Sequence, residues 1–110
     1  MDFKHLANEL GVGEDIFIEL VDSWINSTGE DIVTLESVRD ASDINKAVDY
    51  AHKIKGASFQ LGFNEIAEVA KSVEIRARSG SIEGLAAALG ELRTKRVEIM
   101  EFRKNFPTHA

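Results

Sequence analysis

The chain is organised around one stretch, Ala51-His52-Lys53-Ile54-Lys55-Gly56-Ala57-Ser58-Phe59-Gln60-Leu61-Gly62. A helix turns by about 100° per residue, so residues three and four apart share a face. This stretch and the residues before it predict a helix with two stripes. The core stripe consists of Ile44, Ala47, Ala51, Ile54, Ser58 and Leu61, and the second stripe consists of Asn45, Val48, His52, Gly56 and Phe59. His52 is therefore expected to face outward or to lie at the rim of the core.

The stripe that carries His52 has the chemistry of a nucleophile. Histidine is largely neutral near neutral pH, so one ring nitrogen keeps a lone pair that can attack an electrophile. Gly56 lies one turn further along, where glycine costs a helix about 1 kcal/mol relative to alanine. The bare backbone predicts that a large partner approaches His52 closely. Lys55 can reach an anion held at the imidazole, and Lys53 adds positive charge, so the stretch favours a phosphoryl group.

The pattern His-x-Ile-Lys-Gly-x-Ser-x-x-Leu-Gly resembles the signature of histidine-containing phosphotransfer (HPt) domains of bacterial phosphorelays, and the likeness runs from about Phe3 to Phe106. The resemblance implies that His52 is phosphorylated and that Lys55 and Gly56 are the family's lysine and glycine. Two positions depart from a common form of the pattern. Lys53 stands where a small or hydroxyl residue is frequent, and Phe59 stands where a small residue is frequent. These departures affect the choice of partner and leave the nucleophile in place.

Glu74 is a candidate to orient the imidazole. Helices 44–61 and 64–79 are expected to form a hairpin about Gly62, and His52 lies ten residues before that glycine and Ser72 ten after it. This places Glu74 near His52, where it can accept a hydrogen bond from Nδ1–H and leave Nε2 as the attacking atom. The resemblance implies the same role for a glutamate or glutamine here. The alternative is a solvated carboxylate that pairs with Lys71 or Arg78 at helical spacing.

The residues around His52 also suggest a surface for a protein partner. Val48 and Phe59 either tuck under a neighbouring helix or form an apolar docking patch, and Gln60 is expected at a polar rim. The predicted partner-binding residues are Val48, Lys53, Gly56, Phe59 and Gln60.

The predicted fold is all-α, an antiparallel up-down four-helix bundle with a short additional N-terminal helix. The helices are expected at 2–10, 14–40, 44–61, 64–79 and 82–105, in one domain of 110 residues.

The second helix has a predicted core stripe of Phe17, Leu20, Val21, Trp24, Thr28, Ile32, Leu35 and Val38. Gly29 interrupts it, and Ser27-Thr28-Gly29-Glu30 can be taken as a capping box that starts a new helix. The register favours one long helix that is bent or loosened near Gly29. The tail from Pro107 to Ala110 is expected to be loose.

Composition narrows the possible functions. The chain has no cysteine, which excludes disulfides, thiolate metal sites and cysteine catalysis. A net charge of −6 disfavours nucleic acid as a partner. No apolar run approaches the roughly 20 residues that span a bilayer, and no signal-peptide pattern is present, so a cytoplasmic location is expected. Asp2-x-x-His5 and Asp49-x-x-His52 do not complete a di-iron site, and His5 and His109 are expected to be uninvolved.

The resemblance implies a phosphoryl carrier rather than a kinase, since the chain has no Gly-rich phosphate loop for ATP. An aspartyl phosphate on a receiver domain would be presented to His52, and the phosphoryl group would pass to another response regulator. The receiver domain, or a hybrid sensor histidine kinase, would be the partner and would supply Mg²⁺. The chain itself is expected to need no cofactor and to be a monomer. Two alternatives stay open: a helical adaptor that is not phosphorylated, or a domain of a larger chemotaxis-type or hybrid kinase. The start at Met1 favours a free-standing module.

Overall fold

Five α-helices make up most of the part of the chain that the computed structural model describes, residues 1–38 and 41–106. They are α1 Phe3–Leu10, α2 Glu14–Glu36, α3 Ile44–Gln60, α4 Asn64–Arg78 and α5 Leu85–Asn105, with a 3₁₀ turn at Ala41–Asp43. Within these residues there is no β-strand. Helix α3 packs against α2 and α4, and α5 packs against the same two helices on the other side. This closes a four-helix bundle, with α1 against α2, and confirms the predicted fold class.

Side-chain contacts explain why these helices pack in this order. Trp24 of α2 is buried, and its indole Nε1 donates a 2.9 Å hydrogen bond to Ser58 Oγ of α3. This hydrogen bond fixes the position of α3 along the axis of α2. At one end of the bundle Phe3 of α1 packs against four aromatic rings of other segments, Phe17, Phe63, Phe102 and Phe106. Helix α1 therefore covers an aromatic end of the core that α2 alone would leave open.

Two predicted helix boundaries are wrong by several residues. Helix α2 ends at Glu36, where the Ser37 hydroxyl donates to the Thr34 carbonyl at 2.6 Å, and does not continue toward residue 40. Helix α5 begins at Leu85 instead of residue 82. Ser81 Oγ accepts a hydrogen bond from the Glu83 backbone N–H, and Gly84 adopts a left-handed φ of 80°, so residues 81–84 form a turn. Residues 39–40 and the tail 107–110, with His109, lie outside the described residues.

The other ends agree closely with the prediction. Helix α1 has Asp2 as its N-cap, and α3 and α4 each end one residue before the predicted positions 61 and 79. Gly62 adopts the left-handed conformation expected of the residue that turns the chain between them, with φ 82°. One core prediction in α2 is wrong: Leu20 is 37% exposed, and Ile18 is buried.

Gly29 lies inside a continuous α2, so a new helix does not start at Ser27-Thr28-Gly29-Glu30. The reason for the glycine is Arg96 of α5. Its guanidinium donates from Nε and Nη2 to the Ile25 carbonyl at 3.0 and 2.8 Å, and a Cβ on Gly29 would lie 2.5 Å from Nη2. The missing side chain leaves room for a cation that links α5 to α2.

Substitution of Gly29 tests this explanation. Gly90 of α5 is the matched control, because a Cβ there would meet nothing within 4 Å. Gly90→Ala should stabilise the fold by up to about 1 kcal/mol through helix propensity alone. Gly29→Ala should gain about 1–2 kcal/mol less than the control, since the methyl group displaces Arg96 from its carbonyl. Urea unfolding of both variants measures the difference, and equal gains would contradict the role assigned to Arg96.

Candidate functional site

His52 lies on the outer surface of α3, in the middle of the helix. Its side chain is 60% exposed, and Nδ1 lies 2.8 Å from Oε2 of Glu74 on α4. The contact between His52 and Glu74 that the helical hairpin predicts is therefore present. More than half of the side chain is exposed, so a partner can reach the imidazole without any movement of the bundle.

Glu74 accepts hydrogen bonds from three side chains and is only 5% exposed. Lys55 Nζ donates to Oε1 at 2.6 Å, and Arg78 Nη2 donates to Oε2 at 2.9 Å, beside the contact with His52. The pairing with Arg78 that the sequence allows does exist. The carboxylate of Glu74 is nevertheless buried, so the alternative prediction of a solvated carboxylate is wrong.

The ionisation of Glu74 fixes the tautomer of His52. Burial by itself raises the pKa of this carboxyl, but the hydrogen bonds from Lys55, Arg78 and His52 outweigh burial and lower the pKa to about 2. An ionised carboxylate can only accept hydrogen bonds, so the proton of the neutral ring must be on Nδ1. Nε2 then carries the lone pair.

The two lysines next to His52 point in different directions. Lys55 is 31% exposed and points toward Glu74. Lys53 points toward α2, with Nζ 4.0 Å from Asp31 Oδ1 and 4.8 Å from the centre of the Tyr50 ring. Burial raises the pKa of Asp31, and Lys53 offsets part of that shift. Positive charge is therefore present on both sides of the imidazole, although each lysine already has an acidic neighbour.

The surface beside His52 is open at the positions that the sequence singles out. A Cβ on Gly56 would meet nothing within 4 Å, so no contact inside the described chain requires glycine there. Phe59 is 64% exposed and Gln60 is exposed, whereas Val48 packs partly against the core. Gly56, Phe59 and Gln60 line a groove of about 450 Å³, and Ala67 and Glu68 form its α4 side. Of the two apolar candidates for docking, Phe59 is the exposed one.

Comparisons with known proteins identify the family. The profile of the Hpt domain matches residues 19–99. The chain belongs to the Hpt domain family. It is 30% identical over 99 residues to phosphorelay intermediate protein rdeA of Dictyostelium discoideum, and the match covers 86% of this chain but only 39% of that protein. Its structure is similar to that of histidine-containing phosphotransfer protein B of Pseudomonas aeruginosa, with a TM-score of 0.79, 24% identity, and coverage of 97% of this chain and 96% of the other.

Arg78 is a further residue of this Hpt site, which the sequence offers only as an alternative partner of Glu74. Its sequence signal is the spacing of four residues from Glu74 in the last turn of α4, which is typical of a pair of opposite charges on one helix face. The structure shows that one carboxylate serves both His52 and Arg78 at once. His5, in contrast, lies on α1 beside Glu9 at 3.6 Å and does not join the site.

The described residues of the Hpt domain lack two other kinds of feature, a cluster of metal-binding side chains and a membrane-spanning helix. No group of three or more His, Asp or Glu side chains in 1–38 and 41–106 is arranged to hold a metal ion. In that same part of the chain, none of the helices combines the length and the apolar character needed to cross a membrane.

The charge on Glu74 should make stability depend on pH. Its folded pKa of about 2 is below the ordinary value of 4.5, so its stabilisation is complete above about pH 4.5 and is lost as pH falls through 2. Glu74→Gln should lower the free energy of unfolding at pH 7 by about 1–3 kcal/mol, because buried donors lose a charged acceptor. Urea unfolding at several pH values should show this difference narrowing from pH 5 downward.

Glu68→Gln is the control for this experiment, since Glu68 is an exposed carboxylate on the same helix. It should change the free energy of unfolding by less than about 0.5 kcal/mol at every pH. A Glu74→Gln defect that is as large at pH 3 as at pH 7 would show that the lost charge is not its cause.

Proposed function

We propose that this Hpt domain is a phosphorelay intermediate that carries a phosphoryl group on Nε2 of His52. The observation that supports this proposal is the 2.8 Å contact between Nδ1 and an ionised, buried carboxylate on a ring that is 60% exposed. It leaves one nucleophilic nitrogen, in a defined orientation, on the open side of the ring. A surface histidine without such a partner would exchange tautomers and rotate.

The step that follows is an in-line transfer. The Nε2 lone pair attacks phosphorus, the bond between phosphorus and the aspartyl oxygen of the donor breaks, and the aspartate leaves as a carboxylate. Nδ1 keeps its proton, so the ring becomes cationic when Nε2 gains the phosphoryl group. The negative charge of Glu74, next to Nδ1, compensates this new positive charge. Transfer to the next aspartate reverses the step and returns the ring to its neutral form.

The partner supplies the rest of the reaction. Phosphoryl transfer depends chiefly on positioning and on charge stabilisation, which in our proposal come from a receiver domain and its Mg²⁺. The donor is a receiver domain, free or within a hybrid sensor histidine kinase, and the acceptor is another response regulator. The chain contributes the nucleophile, without ATP-binding machinery or a cofactor of its own. A cytoplasmic location and a monomeric state remain predictions.

The docking surface in this proposal surrounds His52 on α3. Gly56, Phe59 and Gln60 lie on its open side, Lys53 lies toward α2, and Val48 lies half-buried at the edge. The exposed ring of Phe59 gives the surface an apolar centre of the kind found in protein interfaces. An adaptor that never carries a phosphoryl group would explain Phe59 but not the oriented imidazole.

Phosphotransfer assays test the proposal directly. Incubation with phosphorylated receiver domains from the same organism should place label on this protein, and the label should be acid-labile and base-stable. His52→Gln should abolish the labelling, while His5→Gln should not reduce it. Retention of label by the His52 variant would refute the assignment of the nucleophile.

Gly56→Gln separates docking from folding. A Cβ at this position would meet nothing within 4 Å, so glutamine should raise helix stability by up to about 1 kcal/mol. It should nevertheless slow transfer from a receiver at least tenfold, because it stands where the partner approaches. Gly90→Gln, at a similarly open position on α5, is the matched control and should transfer at the wild-type rate. Normal transfer by the Gly56 variant would show that the partner does not come close at this position.

A further inference from the structure

The two oxygens of Glu74 are not equally supplied with donors. Oε1 accepts a hydrogen bond from Lys55 Nζ at 2.6 Å, whereas Oε2 accepts from both His52 Nδ1 at 2.8 Å and Arg78 Nη2 at 2.9 Å. A buried acceptor that loses its donor costs far more than an exposed one. Departure of Lys55 would therefore leave Oε1 without this donor, while departure of Arg78 would leave each oxygen with one.

Exposure and reach also distinguish the two cations. The Arg78 side chain is 60% exposed and the Lys55 side chain is 31% exposed, so Arg78 can move with less loss of packing. Arg78 shares its acceptor atom with Nδ1, which puts the guanidinium within two hydrogen-bond lengths of the ring. Its five N–H groups suit the oxygens of a phosphoryl group better than a single ammonium does.

The other charged side chains around His52 do not replace Arg78. Lys53 is directed toward Asp31 on α2. Asp49, Glu68 and Lys71 are exposed, and among the described residues the side chains that hydrogen-bond to Glu74 are those of His52, Lys55 and Arg78.

We propose that the cation that moves onto the phosphoryl group of phosphorylated His52 is Arg78, and that Lys55 stays on Glu74 as a positioning residue. This inference rests on the proposed function. It reverses the assignment that the sequence favours for Lys55. After this movement the buried carboxylate is still paired, because Nδ1 donates to Oε2 of Glu74 and Lys55 donates to Oε1. The guanidinium of Arg78 leaves the carboxylate of Glu74 and binds the phosphoryl group. No covalent bond is made or broken in this rearrangement.

The experiment uses the full chain phosphorylated on His52 with the small donor phosphoramidate, whose P–N bond breaks as ammonia leaves. A pH titration of the ³¹P signal then reports the second ionisation of the phosphoryl group. A cation in contact with the phosphoryl group favours its dianion and lowers the titration midpoint. Arg78→Gln should raise that midpoint by about one pH unit, the lower end of the effect of an opposite charge at close range. Arg78→Lys should bring the midpoint part of the way back toward the wild-type value, because lysine keeps the positive charge but lacks the planar guanidinium.

Two further variants make the comparison specific. Lys55→Gln should leave the midpoint unchanged while lowering the resistance to urea, since it removes a donor from a buried carboxylate. Lys104→Gln removes the same charge from an exposed position at the end of α5, and should change neither quantity. In the wild-type protein the ¹⁵Nε–¹H signal of Arg78 should shift on phosphorylation. This measurement does not depend on the folding of any variant.

The outcomes separate this inference from the proposed function. A midpoint that rises with Lys55→Gln and not with Arg78→Gln would overturn the division between the two cations, as would an Arg78 signal that phosphorylation does not move. A wild-type protein that takes label on His52 neither from phosphoramidate nor from a receiver would instead overturn the proposed function.

Discussion

The hydrogen bond between Glu74 and His52 is the interaction on which the rest of the site depends. A carboxylate that is 5% exposed must be paired, and the three donors that pair it are the histidine and the two nearest cations. Removal of any one of them changes the surroundings of the other two. The orientation of the ring, its tautomer and the direction of Lys55 are therefore consequences of one buried charge.

That contact in turn depends on the register between α3 and α4. Gly62, at φ 82°, turns the chain so that the two helices run side by side, and this sets which residue of α4 faces His52. The Trp24–Ser58 hydrogen bond fixes α3 against α2 from the buried side of the same helix. His52 thus lies on the exposed face of a helix whose opposite face is held by the core. A rigid support of this kind keeps the ring in place while a partner docks and leaves.

The features of the molecule that were predictable from sequence are those set by local spacing. Counting from Gly62 places Glu74 beside His52, and the periodicity of α3 separates Ser58 from His52 correctly. The features that were not predictable depend on choices between distant partners. Lys53 and Lys55 have the same chemistry. Only the positions of Asp31 and Glu74 in the fold decide that Lys53 points toward α2 and that Lys55 binds the carboxylate next to His52. The sequence neighbours of Gly29 suggest a capping box, whereas the contact that explains the glycine is with Arg96 on another helix.

The balance of charge explains why an acid suits position 74. Glutamine could also accept a hydrogen bond from Nδ1, but it would bring no negative charge to the site. In the proposed transfer Nε2 takes a phosphoryl group without losing the proton on Nδ1, so the ring gains a positive charge next to that residue. An ionised Glu74 meets this charge with a full counter-charge in a poorly solvated position, where Coulomb interactions are less screened than in water. The same carboxylate needs cations while the ring is neutral, which accounts for Lys55 and Arg78 around it. In the proposed mechanism one buried charge thus serves both the empty and the loaded state of the carrier, with different partners in each.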